Sequence, residues 1–598
     1  MTRGQALRWL FGLSWQRHRG WVLTFVVLAV ADVLATGVFA LTLRMLIQSA
    51  LDQHLREAVI ATVGAALSYA VTIVGASARL NVVNLLDEAV GVDLDERILG
   101  LIAGLDGIEH LERPEYADRI ALVRGSGDVI ARCGWVLLDG VTMLVRLLVV
   151  LAILTMTAPV LLILVLLLVP ALWLPRRGQR GVRAASVAVS QDVRRVEHIQ
   201  TLLTEATPNM EVRIAGAGPR LLGDGREVWD RIIRTQARAQ WRNAGLGITG
   251  WAVFVLGYVA ALLFIVHDVA SGREQPGDVL LLVTLTNTLR AQAEGVMRSL
   301  QRTTDGMSAL DAFLWLEDHA AAHRGTAGTA GVVARVPERL TDGITLSGVS
   351  FRYPGTDRWV FRGIDLRLPA GSTVAVVGEH GAGKTSLVKL LTKFYEPAEG
   401  VVTVDGVRLD EIPAEDWWSR TTANFQDFAR FLFLVRESVG VGDLAAADRP
   451  DVLARAIADA DAEGIVAGLP DGLDTQLGRV FDGQELSTGQ WQRIALSRAH
   501  MRTAPLLCVI DEPTASLDPR SEYAVYRRQM KLAKSLGERF GTVTLVVSHR
   551  FSTVQMADLI VVVEDGAVAE MGDHDELMAL GGLYADLFRM QAAAFQNG

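Results

Sequence analysis

Three observations in this 598-residue sequence predict a multidomain membrane protein, an all-α six-helix transmembrane domain followed by an α/β domain built on a phosphate loop. Half of the residues are apolar and the mean hydropathy is +0.29, too high for an ordinary soluble enzyme of this size. The apolar residues gather in long stretches in the first half of the chain. Beyond residue 340, short strand-like runs alternate with helical ones, and one junction carries G-x-x-x-x-G-K-[ST].

Charge separates the halves. Residues 1–330 carry 31 arginines against 30 acidic residues, whereas the remainder carries 27 basic against 37 acidic. An acidic second half excludes general nucleic-acid binding, which needs a basic footprint. Cys133 and Cys508 sit in apolar runs with no C-x-x-C or histidine beside them, so they read as small core residues. No small-residue cleavage site follows the first apolar stretch, so no cleaved signal is expected.

The first element is the set of apolar stretches at Trp21–Ile47, Ala58–Ala78, Trp135–Thr157, Val160–Leu174 and Leu246–Val266, with a weaker sixth from Val279 through Leu289. A helix needs about 20 apolar residues to cross a bilayer, and several of these reach that length. Pro159 separates the third and fourth spans with almost no loop. Arginines fix the orientation. Arg3, Arg8, Arg17 and Arg19 precede the first span, Arg176, Arg177, Arg180 and Arg183 follow the fourth, and Arg231, Arg234, Arg238 and Arg242 precede the fifth. The opposite connections offer only Arg56 and Arg273. Both termini and the long connections Arg79–Gly134 and Pro175–Ala244 therefore face the cytoplasm. Asp32, Arg44, Asp139 and Arg146 lie inside spans, where charge is costly; they either line a substrate path, pair as Asp–Arg between helices, or sit beyond the lipid boundary. The expected domain is 1–317.

Asp318–Leu340 is rich in Ala, Gly and Thr without apolar periodicity, so it reads as the linker, 318–340, before a domain at 341–598. In that domain Thr373–Val377 is a strand-like run leading into Gly378, Glu379, His380, Gly381, Ala382, Gly383, Lys384 and Thr385. Small residues let the backbone curl its N–H groups toward nucleotide phosphates, Lys384 reaches the outer phosphates and Thr385 ligates Mg²⁺. Ser386 continues into a helix whose positive end completes the anion site. The chain has only five lysines, and Lys384 is the first. A second run, Leu506–Ile510, ends in Asp511 and Glu512, 127 and 128 residues after Lys384. Asp511 is placed to hold Mg²⁺, and Glu512 to orient and deprotonate the attacking water.

Leu486-Ser487-Thr488-Gly489-Gln490 resembles the ATP-binding cassette signature, and Ser516-Leu517-Asp518 follows the acidic strand as in that family. Together with the phosphate loop, these residues identify an ABC nucleotide-binding domain. Six spans fused before it resemble the exporter-type half-transporter over essentially the whole chain. The resemblance implies that Tyr353 stacks on adenine, that Gln426 senses Mg²⁺ and the attacking water, and that His549 contacts the γ-phosphate. It further implies that Ser487, Gly489 and Gln490 complete the ATP site of a second half-transporter, the same or a homologous chain. Glu112–Tyr116 and Glu211–Arg213 resemble the short coupling helices of the cytoplasmic connections. Thr488 departs from the usual glycine: either the site tolerates it or it marks a weakened site in a heterodimer.

The function implied is ATP-driven export across the bilayer of a bacterial cytoplasmic membrane by alternating access. The substrate stays open among small molecules, lipids and peptides. With no nucleophilic-cysteine peptidase segment before the first span, a leader-cleaving peptide exporter is disfavoured. A soluble ATPase of the same family does not fit the apolar first half. A regulatory membrane protein with little turnover does not fit Glu512 and His549.

Overall fold

The computed structural model describes residues 3–157, 163–271, 276–324, 334–379, 381–511, 519–548 and 551–596. They divide into two compact units, Met1–Gly100 with Ile120–Leu316, and Leu101–Arg119 with Glu317–Gly598.

The first unit is helical. Its elements are α1 (Arg3–Arg17), α2 (Arg19–Leu51) and α3 (Leu55–Ala103), the last three residues of which belong to the second unit. After α4 (Glu109–Glu112) and α5 (Pro114–Val123) come α6 (Gly127–Thr157), α7 (Ile163–Ala188), α8 (Ser190–Thr204), α9 (Ala206–Ile214), α10 (Gly218–Ala270) and α11 (Pro276–Arg324). Where they are described, the six apolar stretches fall in α2, α3, α6, α7 (from Ile163), α10 and α11, and among the described residues four of those helices are long and apolar enough to cross a membrane. Pro159 lies outside the described residues. At 49 and 53 residues, α3 and α10 are far longer than their apolar stretches, about 75–80 Å at 1.5 Å per residue, so polar turns extend them past any bilayer. Leu23, Val27, Val30, Leu34 and Leu41 lie exposed along α2, the face a lipid-facing helix presents.

Helices α7 and α10 pack closely because small residues sit at their crossing. A Cβ on Gly250 would lie 2.8 Å from the Pro170 carbonyl oxygen. Phe254, Ala261 and Ile265 of α10 join Leu168, Ala171, Val150 and Leu289 in a buried cluster.

Charges inside these helices are paired. Asp32 is fully buried, and its Oδ2 accepts from Arg79 Nη1 at 2.8 Å and Arg146 Nη1 at 2.9 Å. Arg79 Nε lies 3.3 Å from Asp139 Oδ1. The cluster thus joins α2, α3 and α6, which bears out interhelical pairing. Arg44 is not among its members: twelve residues along the same helix put it about 18 Å from Asp32.

The second unit holds two sheets. An antiparallel one, in the order β2-β1-β4-β5, comprises β1 (Gly343–Arg352), β2 (Trp359–Pro369), β4 (Glu399–Val404) and β5 (Val407–Arg408). A six-stranded one has the order β10-β9-β3-β8-β7-β6, built from β3 (Thr373–Val377), β6 (Thr421–Asn424), β7 (Leu507–Asp511), β8 (Val543–Val547), β9 (Leu559–Glu564) and β10 (Ala567–Gly572). Its pairings are parallel except for β10 on β9. Every residue of β3, β7 and β8 is buried, as expected for strands covered on both faces. The expected linker is partly helical, since α11 runs unbroken to Arg324. Residues 325–333 lie outside the described set, and 334–340 carry no helix or strand.

Replacing Asp32 by Asn leaves Arg146 facing a neutral amide in a buried site, a change that typically costs about 3 kcal/mol. Asp32→Asn is therefore expected to lower the melting temperature of the detergent-solubilised protein, and Asp32→Asn with Arg146→Met to recover part of the loss.

Candidate functional site

The site starts from strand register. Val376 of β3 and Asp511 of β7 both lie opposite Val547 of the strand between them. The two outer strands therefore end at one edge of the sheet, two strand spacings or about 10 Å apart. That edge is where doubly wound sheets bind ligands.

From β3 the chain enters the loop. Gly378 and Gly383 have φ of 153° and 111°, and a Cβ on Gly378 would lie 2.2 Å from the Val563 carbonyl oxygen. On Gly383 it would lie 2.7 Å from the Phe361 ring, so only glycine fits either position. Gly381 also takes positive φ, and Ala382 N–H donates to the Glu379 carbonyl, which closes the turn. Helix α12 (Lys384–Leu391) begins directly after it. Lys384 Nζ donates to the carbonyls of Gly378 at 2.7 Å and Glu379 at 2.9 Å, so the ammonium lies within the curl of the loop. Thr385 is exposed at the helix start, and Ser386 is buried. His380 lies outside the described residues.

At the far end of α12, Trp417 and Trp418 donate their indole N–H groups to the carbonyls of Leu391 at 2.9 Å and Thr392 at 2.8 Å. They are structural caps on the phosphate-loop helix.

Asp511 ends β7 with its side chain largely buried. Gln426 is exposed two residues past β6, at the same sheet edge. A single carboxylate, a threonine hydroxyl and a carboxamide form no closed cage, and no group of three acidic, His or Cys ligands occurs among the described residues. That donor set fits Mg²⁺, which keeps its waters and substrate phosphates as ligands. The sequence-predicted catalytic residues Glu512 and His549 lie outside the described residues.

Tyr353 follows β1 directly, and its hydroxyl is 2.8 Å from Ser386 Oγ in α12. Its ring meets Phe351 and Tyr395 edge-on at centroid distances of 5.1 Å and 5.4 Å. The expected adenine seat is thus bound to the helix that carries the phosphate loop.

Ser487 caps the helix Thr488–Ala499, where Gln490 N–H donates to Ser487 Oγ at 3.3 Å and the Gln490 side chain accepts from Ser487 N–H at 2.8 Å. This reciprocal cap fixes the helix N-terminus where Gly489 sits. Thr488 is exposed in the first turn with helical backbone, so its Cβ adds no backbone strain. The same helix ends at His500, which is buried against Gln529 with Nε2 to Nε2 at 2.9 Å.

Two residues that sequence reasoning missed belong to this region. Asn424, at the end of β6, is buried with no hydrogen-bond partner for Oδ1 among the described residues. Lys389 in α12 binds Glu112 at 2.6 Å. Its signal was available: three of the five lysines fall between 384 and 393.

Residues 361–515 match the ABC transporter family. Relatives named ATP-dependent lipid A-core flippase include one from Pseudomonas fluorescens (strain Pf0-1), 35% identical over 56% of this chain and 52% of its own length. Others come from Chromobacterium violaceum, 31% identical over 69% of this chain and 67% of the relative, and Albidiferax ferrireducens, 32% identical over 69% and 68%. The match to the Pseudomonas relative thus spans about half of that protein. In fold, the chain is similar to a bacterial Atm1-family ABC exporter solved with ATP bound, with a TM-score of 0.75 and 22% identity over 95% of this chain and 99% of the other.

Burial holds the His500 imidazole neutral, with its pKa pushed down to about 4. The unfolded chain binds that proton near pH 6.5, so between those values unfolding takes up a proton and stability falls as pH drops. The pair of values corresponds to about 3 kcal/mol at full titration. His500→Gln is expected to flatten the loss of melting temperature between pH 6.5 and 4 relative to wild type.

Proposed function

The chain belongs to the ABC transporter family, and on that premise we propose that it is an ATP-driven exporter of an amphipathic substrate. It works as a homo- or heterodimer of half-transporters in the bacterial cytoplasmic membrane. The observation that carries this reading is the delivery of Lys384 and Asp511 to one sheet edge, in a chain whose other unit is a bundle of long apolar helices.

In this reading Lys384 exchanges its two loop carbonyls for the outer phosphates of ATP, and the loop N–H groups bind the remaining oxygens. Thr385 and Asp511 would hold Mg²⁺ with Gln426 beside it, and the ion would supply charge neutralisation to the phosphates. Glu512 takes the proton of the attacking water, and His549 contacts the γ-phosphate. The capped helix start at Ser487 and Gly489 supplies donors to the nucleotide of a second chain, so each site needs both chains. ATP favours the closed pair of domains and hydrolysis releases it, which supplies the differential affinity that alternating access requires.

For the substrate class, the support is a cavity of about 590 Å³ in the helical unit. Arg79, Arg132, Arg302, Asp87 and Asp139 line it together with Leu80, Val83, Val136 and other apolar side chains. Arg132 Nε and Asp87 Oδ2 are 2.8 Å apart, so the wall offers paired charges of both signs beside apolar surface. Such a wall suits a lipid-like molecule with a charged head group. Relatives named as lipid A-core flippases agree with that class.

Two measurements test the reading. Glu512→Gln is expected to bind ATP with near-normal affinity and to lose turnover by at least about 100-fold. ATPase of the purified protein in nanodiscs is expected to rise with amphipathic lipids bearing charged head groups and to ignore hydrophilic peptides; stimulation by peptides alone overturns the substrate class.

A further inference from the structure

The segment 101–119 belongs to the same compact unit as the nucleotide fold, and it touches that fold through a specific side-chain set. Glu112, at the end of α4, accepts from Lys389 Nζ at 2.6 Å through Oε1 and from the Tyr395 hydroxyl at 2.5 Å through Oε2. One carboxylate oxygen is thus engaged by Lys389 within the phosphate-loop helix and the other by Tyr395 four residues past its end. The Lys389 ammonium lies 5.3 Å from the Tyr353 ring centroid and 5.7 Å from that of Tyr395, within the range of cation–π attraction. Tyr353 is held in turn by Ser386, one helical turn before Lys389 in α12. On the other side of the same turn of chain, the Arg113 guanidinium approaches Gly355 to within 3.7–3.9 Å of where a Cβ would stand.

The charges agree with this geometry. Burial pushes the Glu112 carboxyl up, but the bonds from Lys389 and Tyr395 outweigh it and hold the group below its ordinary range. Burial and the adjoining carboxylate drive the Tyr395 phenol far up, so it stays a donor. Lys389 is mostly shielded from solvent but Glu112 is exposed, so the pair is partly screened and modest in strength.

We propose that Lys389 is a positioning residue for nucleotide binding: held by Glu112, it fixes the Tyr353 ring against which the base stacks, so that segment 101–119 sets the affinity for the adenine moiety. This rests on the reading of the chain as an ABC ATPase with Tyr353 as the base seat. Lys389 touches no reacting atom in this scheme. It acts through Tyr353, and its loss weakens base recognition while leaving the phosphate loop intact. Segment 101–119 begins with the last three residues of α3, and Glu112 lies nine residues past the end of that helix.

The test uses the full chain in nanodiscs with Lys389→Met, Glu112→Gln and the charge exchange Lys389→Glu with Glu112→Lys. Each single variant is expected to raise KM for ATP by about 3–10-fold with kcat nearly unchanged, the size of one partly shielded charge contact. Inhibition by inorganic tripolyphosphate, which has no base, is expected to stay at the wild-type level, and the charge exchange to leave KM raised, because it rebuilds the ion pair but sets a carboxylate beside the Tyr353 ring. An unchanged KM overturns the proposal. So does equal weakening of ATP and tripolyphosphate, which marks general damage to α12. Lys384→Ala separates this from the parent reading: if that variant binds ATP normally, the nucleotide site itself is misplaced, whereas loss of binding there with normal Lys389 variants sinks the positioning role alone.

Discussion

The parallel pairing of β3, β8 and β7 is the constraint on which the nucleotide site depends. Parallel strands align their C-terminal ends at one sheet edge, and the register places Val376 and Asp511 opposite the same residue of β8. A slip of one residue would turn Asp511 to the other face of the sheet and part it from the loop after Val377. All three strands are buried along their length, so the register is held by packing on both faces. The loop needs little else: its shape follows from glycines at 378 and 383 packed against Val563 and Phe361. Phe361 lies in β2, so the antiparallel sheet supplies a wall of the phosphate loop.

The helical unit solves a different problem with the same economy. Its buried carboxylate Asp32 is shared by two guanidiniums from two other helices, and Arg79 is shared in turn with Asp139. Each charge in the cluster has at least one opposite neighbour, which keeps the desolvation cost tolerable. Arg79 and Asp139 also line the large cavity, so the ion pairs that tie α2, α3 and α6 together form part of its wall. A ligand group that bonded Arg79 would compete with Asp32 and Asp139 for it, so occupancy of the cavity would be coupled to the packing of three helices.

Much of this was legible in the sequence because the relevant signals are local. The phosphate loop is eight consecutive residues with an apolar run before it, and the acidic strand is a run of apolar residues ending in two carboxylates. The arginine bias and the apolar stretches likewise need no tertiary knowledge. What was not legible depends on partners far apart in the chain. Asp32 and Arg79 are 47 residues apart, and Glu112 and Lys389 are 277 apart. The antiparallel sheet was missed because β1 mixes buried and exposed residues without clean alternation and its pairing with β2 slips at several points, although Ile364–Pro369 of β2 does alternate. The helical start of the 318–340 segment was not legible for a simpler reason. Asp318-His319-Ala320-Ala321-Ala322-His323-Arg324 lacks apolar periodicity, but alanine is the strongest helix former, so α11 continues through it.

The shortness of α12 gives these parts a mechanical relation. Eight residues span about 12 Å, too short to bend appreciably. Its first residue is Lys384 of the phosphate loop, its third holds Tyr353, the proposed base seat, through Ser386, and its sixth is tied to Glu112. Trp417 and Trp418 cap its end, so the helix is fixed at both termini and in the middle. A displacement of Glu112 cannot be absorbed within such an element. It either moves the helix as a body, carrying loop and base seat together, or breaks the contact between Lys389 and Tyr353. The first preserves the relative geometry of base and phosphate sites, and the second changes only the base site. A short, doubly anchored helix therefore confines what segment 101–119 can do to two outcomes, and both are read in the affinity for the whole nucleotide against that for its phosphates.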